Sequence, residues 1–110
     1  MKTSVILPTY NESQNIEEMV KTLMSLPISQ FKILIVDDDS PDGTGEIADK
    51  LSKKHPDKIE VLHRIGERGL GSAYIAGFNH VLKTDVEAIV QMDCDFSHSP
   101  RYLPEMLESL

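Results

Sequence analysis

Phe31-Lys32-Ile33-Leu34-Ile35-Val36, followed without a break by Asp37-Asp38-Asp39-Ser40-Pro41-Asp42-Gly43-Thr44, is the stretch that decides the fold. The first six residues are rich in β-branched side chains, and only Lys32 is polar. That pattern describes a strand. The next eight are crowded with turn and cap formers. A helix is expected from Thr44 to about Lys54, with Ile47 and Leu51 inward, until His55-Pro56-Asp57 breaks it. A buried strand leading through a polar loop into a helix is half of a β-α-β unit.

The same order recurs on either side. Upstream, Ser4-Val5-Ile6-Leu7 is an apolar strand ended by Pro8, and the turn-forming segment Pro8 to Ser13 follows it. Ile16, Met19, Val20, Leu23 and Met24 then repeat at helical spacing, so Asn15 to Leu26 reads as an amphipathic helix, with Asn11, Ser13 or Asn15 as its cap. Downstream come a third strand, Ile59 to Leu62, and a glycine-rich loop, Gly66-Glu67-Arg68-Gly69-Leu70-Gly71. Ile75, Phe78 and Leu82 mark a third helix from about Ser72 to Lys83. Ala88 to Met92 is a fourth strand, and Pro100 and Pro104 bracket a last turn or helix holding Tyr102, Leu103, Met106 and Leu107. Strands alternating with helices predict an α/β fold: a three-layer α/β/α sandwich around a mainly parallel sheet with right-handed crossovers. Each polar or glycine-rich segment follows a strand. In open α/β sheets ligands bind at the carboxyl ends of the strands, so all four segments are expected to converge on one ligand.

Composition narrows the classes. A chain of 110 residues, 40% hydrophobic and 26% charged, is at most one ordinary globular domain. Its net charge of -7 argues against a general nucleic-acid binder, which needs a basic stripe to replace phosphate counterions. An anionic ligand would need a metal ion, helix N-termini or a few placed basic residues to offset repulsion. The apolar runs are strand-sized, no transmembrane segment is expected, and Met1-Lys2-Thr3-Ser4 leads straight into a strand without a signal peptide's apolar core. Cytoplasmic placement is therefore expected. The single cysteine, Cys94, rules out an internal disulfide.

Several constellations carry chemistry. In Met92-Asp93-Cys94-Asp95 two carboxylates at a strand end lie on one side of an extended chain with Cys94 turned away. Mg²⁺ or Mn²⁺ favours such oxygen ligands, although the pair would equally face water. Asp37-Asp38-Asp39 either stabilises the helix behind it or supplies a carboxylate to a ribose hydroxyl or base N–H. The glycine-rich loop lacks the lysine of a Walker loop, and Tyr74 stands where a dinucleotide fingerprint needs its third glycine. It is a punctuated turn into a helix, or a backbone approach to a diphosphate with Arg64 or Arg68 adding charge. His63, His80 and His98 are too scattered for a metal-ligand spacing. A Cys94 thiolate is disfavoured by its acidic neighbours, so it is a poor nucleophile.

Taken together, Pro8-Thr9-Tyr10-Asn11-Glu12, Val36-Asp37-Asp38 with Ser40-Pro41-Asp42-Gly43-Thr44, Gly69-Leu70-Gly71-Ser72-Ala73-Tyr74 and Met92-Asp93-Cys94-Asp95 resemble the family 2 glycosyltransferases, in family order. Asp95-Phe96-Ser97-His98-Ser99-Pro100 resembles the dolichol- or polyprenol-phosphate mannosyltransferases among them. The resemblance covers residues 1–110 and implies the donor-binding N-terminal half of a Rossmann-like GT-A domain, with the acceptor half absent. It implies an inverting, metal-dependent transfer of mannose from GDP-mannose to a polyprenyl (dolichyl) phosphate at the cytoplasmic face of a membrane. By that resemblance Pro8, Tyr10, Glu12, Val36, Asp37, Asp38, Gly69, Leu70 and Cys94 line the nucleotide site, with Arg64 beside them. Asp93 and Asp95 bind the Mg²⁺ or Mn²⁺ and the diphosphate and are the catalytic pair. Many relatives place a glutamine two residues after the second aspartate, where this chain has Ser97. A lipid phosphate is already anionic at neutral pH, so such a reaction needs no general base.

Three other readings compete: a fragment that binds a nucleotide sugar without turnover, a family 2 transferase using a UDP-sugar, and a receiver-type signalling domain. The last should carry its phosphorylatable aspartate after the third strand, where His63 and Arg64 stand. A further half beyond Leu110, or a homodimer, is expected to cover apolar surface left by the missing acceptor half.

Overall fold

Alternate residues of a strand face opposite ways, and in this chain both sets are apolar. Val5, Leu7, Ile33, Ile35 and Ile59 join one core cluster, while Ile6, Leu34 and Val36 join a second on the other side of the sheet. The computed structural model, which describes residues 2–28, 30–65 and 70–94, accordingly has helices on both faces. The elements are β1 (Thr3–Thr9), α1 (Ile16–Met24), β2 (Phe31–Asp37), α2 (Thr44–Lys54), β3 (Ile59–His63), α3 (Leu70–Val81) and β4 (Ala88–Gln91). The sheet is parallel throughout, in the order β3-β2-β1-β4. The α/β layering expected from the sequence is what the structure has. The expected last helix around Tyr102 to Leu107 lies outside the described residues.

The chain steps from β1 to β2 to β3, with α1 and α2 packed on the larger cluster, and then crosses back beneath the sheet through α3 to reach β4 on the far side of β1. That reversal sets a switch point at β1, where the connections leave the sheet in opposite directions and open a crevice.

Several element ends differ from the sequence reading. β1 runs through Pro8 to Thr9 rather than stopping at Leu7. The carbonyl of Ile6 accepts from the N–H of Met92, so Pro8, two residues on, turns its donorless nitrogen to the same side. Pairing with β4 therefore ends there, while pairing with β2 continues to Thr9 opposite Asp37. The first helix is shorter than expected. Asn15 is its N-cap but makes no side-chain capping bond, its amide donating instead to Glu12 Oε2 at 3.0 Å.

The third helix shows the largest difference. The residues that mark it by spacing are not the ones it buries: Ile75 is 64% exposed, Phe78 39% and Leu82 57%. Its inward face is Ala73, Gly77 and Val81, with Tyr74 half-buried. Small residues win because the backbone comes very close to the sheet. A Cβ at Gly77 would lie 2.7 Å from Ile6 Cγ2 and 3.2 Å from Val36 Cγ2.

Gly77→Ala is therefore expected to destabilise the chain by about 1–2 kcal/mol, the overpacking cost outweighing alanine's helix propensity. Gly71→Ala, whose Cβ would meet nothing within 4 Å, is expected to leave stability equal or slightly higher. Urea unfolding of the two variants, followed by circular dichroism, separates close packing from propensity.

Candidate functional site

Three strand ends meet through a web of hydrogen bonds. Asp37, the last residue of β2, is 1% exposed. Its Oδ1 accepts from the hydroxyls of Thr9 and Ser40, both at 2.7 Å, and its Oδ2 accepts from the Ser40 N–H at 3.1 Å. Its carbonyl takes the N–H of Arg64 at 2.8 Å. A buried carboxylate without such donors would be very costly, so these contacts fix the loop after β2.

Asp38, 6% exposed, is held by Arg64, itself 7% exposed. Nε donates to Oδ1 at 2.7 Å and Nη2 to Oδ2 at 3.1 Å, a fork matched to a carboxylate. Nη2 also donates to Ser72 Oγ at 2.9 Å, which carries the web into the first turn of α3.

The loop after β1 is pinned to the loop after β2 by its own backbone. The N–H groups of Asn11, Glu12 and Ser13 donate in turn to Ser40 Oγ at 3.0 Å, Thr44 Oγ1 at 2.9 Å and Asp42 Oδ2 at 3.1 Å. Asn11 and Asp39 take left-handed conformations, with φ of 57° and 53°, which short polar side chains tolerate. Tyr10 stands exposed above this shelf, and Glu12 is half-buried. Asp42 also serves α2, its Oδ1 accepting from the Thr44 N–H at 3.1 Å and from the Thr44 hydroxyl. Those bonds, the Thr44 hydroxyl above all, hold the Asp42 carboxyl down to about 2 against partial desolvation.

On the other side of β1, Asp93 follows β4 and is half-buried. Its Oδ1 accepts from the Tyr74 hydroxyl at 2.7 Å. Cys94 turns into the larger core cluster. Asp95, Ser97, His98, Arg68 and Gly69 lie outside the described residues, as does the side chain of Leu70. Among the described residues no group of three metal-ligating side chains forms. Oxygen donors at a strand end nevertheless suit a hard divalent cation, and Tyr74 engages only one oxygen of Asp93.

The structure thus brings Pro8, Tyr10, Glu12, Val36, Asp37, Asp38, Arg64 and Asp93 to one end of the sheet. It also gives them different duties. Asp37 organises its loop, and Arg64 is buried against Asp38 rather than standing as a separate cation. Thr9, Ser40, Asp42, Ser72 and Tyr74 were not singled out as site residues, yet they orient those that were. The only available hint was position, since each is a hydroxyl or carboxylate group at a strand end or helix start. His63 and His80 make surface pairs with Asp49 and Glu60, at 2.8 and 2.9 Å.

A cleft of about 280 Å³ opens beside this region, lined by Asp37, Asp39, Glu46, Asp49, His63 and Arg64 among others. It touches neither β1 nor β4, and its four carboxylates would repel a diphosphate. No helix among the described residues is long and apolar enough to cross a membrane.

Comparison with known proteins shows the family. The model of the family described as Glycosyl transferase family 2 matches residues 4–110. Polyprenol monophosphomannose synthase of Mycolicibacterium smegmatis is 44% identical over 109 residues, covering 99% of this chain and 41% of the relative. Dolichol-phosphate mannosyltransferase of Pyrococcus furiosus is 42% identical over 111 residues, covering 100% of this chain and 30% of the relative. The chain therefore spans less than half the length of these curated relatives. Among solved structures, a mannosyltransferase from Pyrobaculum calidifontis in complex with GDP-Man and Mn²⁺ superposes with a TM-score of 0.77 at 28% identity, over 92% of this chain and 29% of that one.

Two outcomes follow from the web. Arg64→Met strands the buried Asp38 carboxylate and is expected to cost about 3–5 kcal/mol in urea unfolding, part of it recovered in the Asp38→Asn, Arg64→Met double variant. The Asp42 carboxyl lies below its ordinary 3.8 when folded, so its stabilising effect is complete above that value and is lost as pH falls toward about 2. Acid unfolding of Asp42→Asn should accordingly converge on that of the parent across this window.

Proposed function

The chain belongs to glycosyl transferase family 2, and we propose that it is the nucleotide-sugar-binding part of an inverting mannosyltransferase that moves mannose from GDP-mannose to a polyprenyl (dolichyl) phosphate. The observation that carries this reading is the placement of Asp38 and Asp93 at strand ends on opposite sides of β1, the switch point of the sheet. Similarity to mannosyltransferases, one of them solved with GDP-Man and Mn²⁺, supports the choice of donor.

In this reading Tyr10, Glu12 and the shelf built on Asp37 and Asp38 receive the base and ribose, with Pro8 and Val36 beneath. Gly69, Leu70 and Cys94 border the donor, Cys94 through its backbone. Asp93 and Asp95, with Ser97 as a weaker third ligand, hold Mg²⁺ or Mn²⁺. The bound cation would offset the negative charge that develops on the leaving diphosphate. The chain's own part is to bind and orient: the acceptor phosphate is already an anion, so no side chain need remove a proton, and direct displacement inverts the anomeric centre. The lipid acceptor places the reaction at the cytoplasmic face of a membrane.

A second reading is favoured by length. Because the chain spans only 41% and 30% of the two relatives, it is expected to bind the donor without completing transfer alone. The exposed Ile75, Phe78 and Leu82 are consistent with cover from a further half or a second copy.

Calorimetry tests the proposal. GDP-mannose and GDP are expected to bind at least tenfold more tightly with Mn²⁺ or Mg²⁺ than without, and Asp93→Ala to remove that gain. Metal-independent binding would overturn the metal site, and a preference for UDP-glucose would overturn the donor assignment.

A further inference from the structure

Tyr74 is the unexplained member of the site. It stands in the first turns of α3, at the position where a dinucleotide fingerprint would have glycine, and it reaches across 19 residues of sequence to Asp93. Its ring packs against the smaller core cluster of Ile6, Leu34, Val36, Ala73 and Val81. The close approach of α3 at Gly77 sets the height of the ring over the sheet. The hydroxyl is thus delivered by the core and not by a mobile surface side chain.

We propose that Tyr74 is a positioning residue for the divalent cation, an inference that rests on Asp93 being a metal ligand. The 2.7 Å hydrogen bond from its hydroxyl occupies Oδ1 and holds the half-buried carboxylate in one orientation. Oδ2 has no hydrogen-bond partner among the described residues and is the oxygen offered to the ion. Two effects oppose each other. The donated hydrogen bond draws charge from the carboxylate, which weakens a metal bond, while fixing the side chain removes an ordering cost from binding. Resonance shares the charge effect over both oxygens, but the hydroxyl donor is neutral and withdraws little, so orientation is expected to prevail. Hydrogen-bond partners of metal ligands commonly change metal affinity by about 10–100-fold.

The same turn of α3 carries Ser72, which accepts from Arg64, the partner of Asp38. One helical turn therefore braces the carboxylates on both sides of β1. Tyr74 governs the metal side and Ser72 the nucleotide side.

Tyr74→Phe removes the hydroxyl and leaves the ring in the core. Mn²⁺ binding to the chain in the presence of GDP, read from the electron paramagnetic resonance signal of free Mn²⁺, is expected to weaken about tenfold in Y74F. GDP binding without metal and the urea midpoint should change little. In an Asp93→Ala background the same substitution should have no further effect on Mn²⁺. Unchanged or tighter Mn²⁺ binding in Y74F would overturn the proposal, as would an equal loss with and without Asp93. If Asp93→Ala alone left Mn²⁺ binding intact, the metal site itself would be misassigned, a failure separate from that of Tyr74.

Discussion

Two adjacent carboxylates, Asp37 and Asp38, are buried at the end of β2, and the rest of the site is arranged around keeping them satisfied. Burial of an unpaired carboxylate costs far more than a domain of this size can spare. Asp37 therefore collects Thr9 from β1 and Ser40 from its own loop, and Asp38 collects Arg64 from the end of β3. Each donor belongs to a different segment. The consequence is that the loops after β1 and β2 and Arg64 at the end of β3 are mutually constrained before any ligand arrives. A ligand that uses such polar groups would find them preset and need not order them, which conserves affinity.

The division of labour within this cluster explains how much could be read in advance. The strands and helices were legible because apolar residues fall at the period of each element, and the α/β order followed from their alternation. The acidic strand ends were legible as a candidate site for the same reason: charge is concentrated where parallel sheets bind ligands. Which donors hold each buried aspartate was not legible. They include Thr9 and Arg64, which lie 28 residues before Asp37 and 26 residues after Asp38. Spacing along a chain does not report such long-range donors.

The misreadings have physical causes of the same kind. In the sequence Pro8 marks a strand end, since proline cannot donate to a ladder. In a parallel strand only one neighbour needs that donor, and the missing bond falls on the side where β4 has already finished. The bulky apolar residues of α3 mark the helix by spacing, but helix-to-sheet contact here selects for smallness, with Gly77 under Ile6 and Val36. Hydrophobic periodicity measures how apolar a face is, and close approach demands how little it protrudes.

That preference for small residues links the packing of α3 to the chemistry at its start. A helix seated this low brings its first turns level with the ends of β2 and β4, where Ser72 and Tyr74 meet Arg64 and Asp93. A bulkier residue at position 77 would lift the helix and lengthen both contacts together. In an acidic chain, with a net charge of -7, the carboxylates at the crevice work for an anionic ligand only if each is held in place and compensated. The glycine in the middle of α3 is therefore as much a part of the site's electrostatics as of the core, because it sets the distance over which Arg64 and Tyr74 are braced.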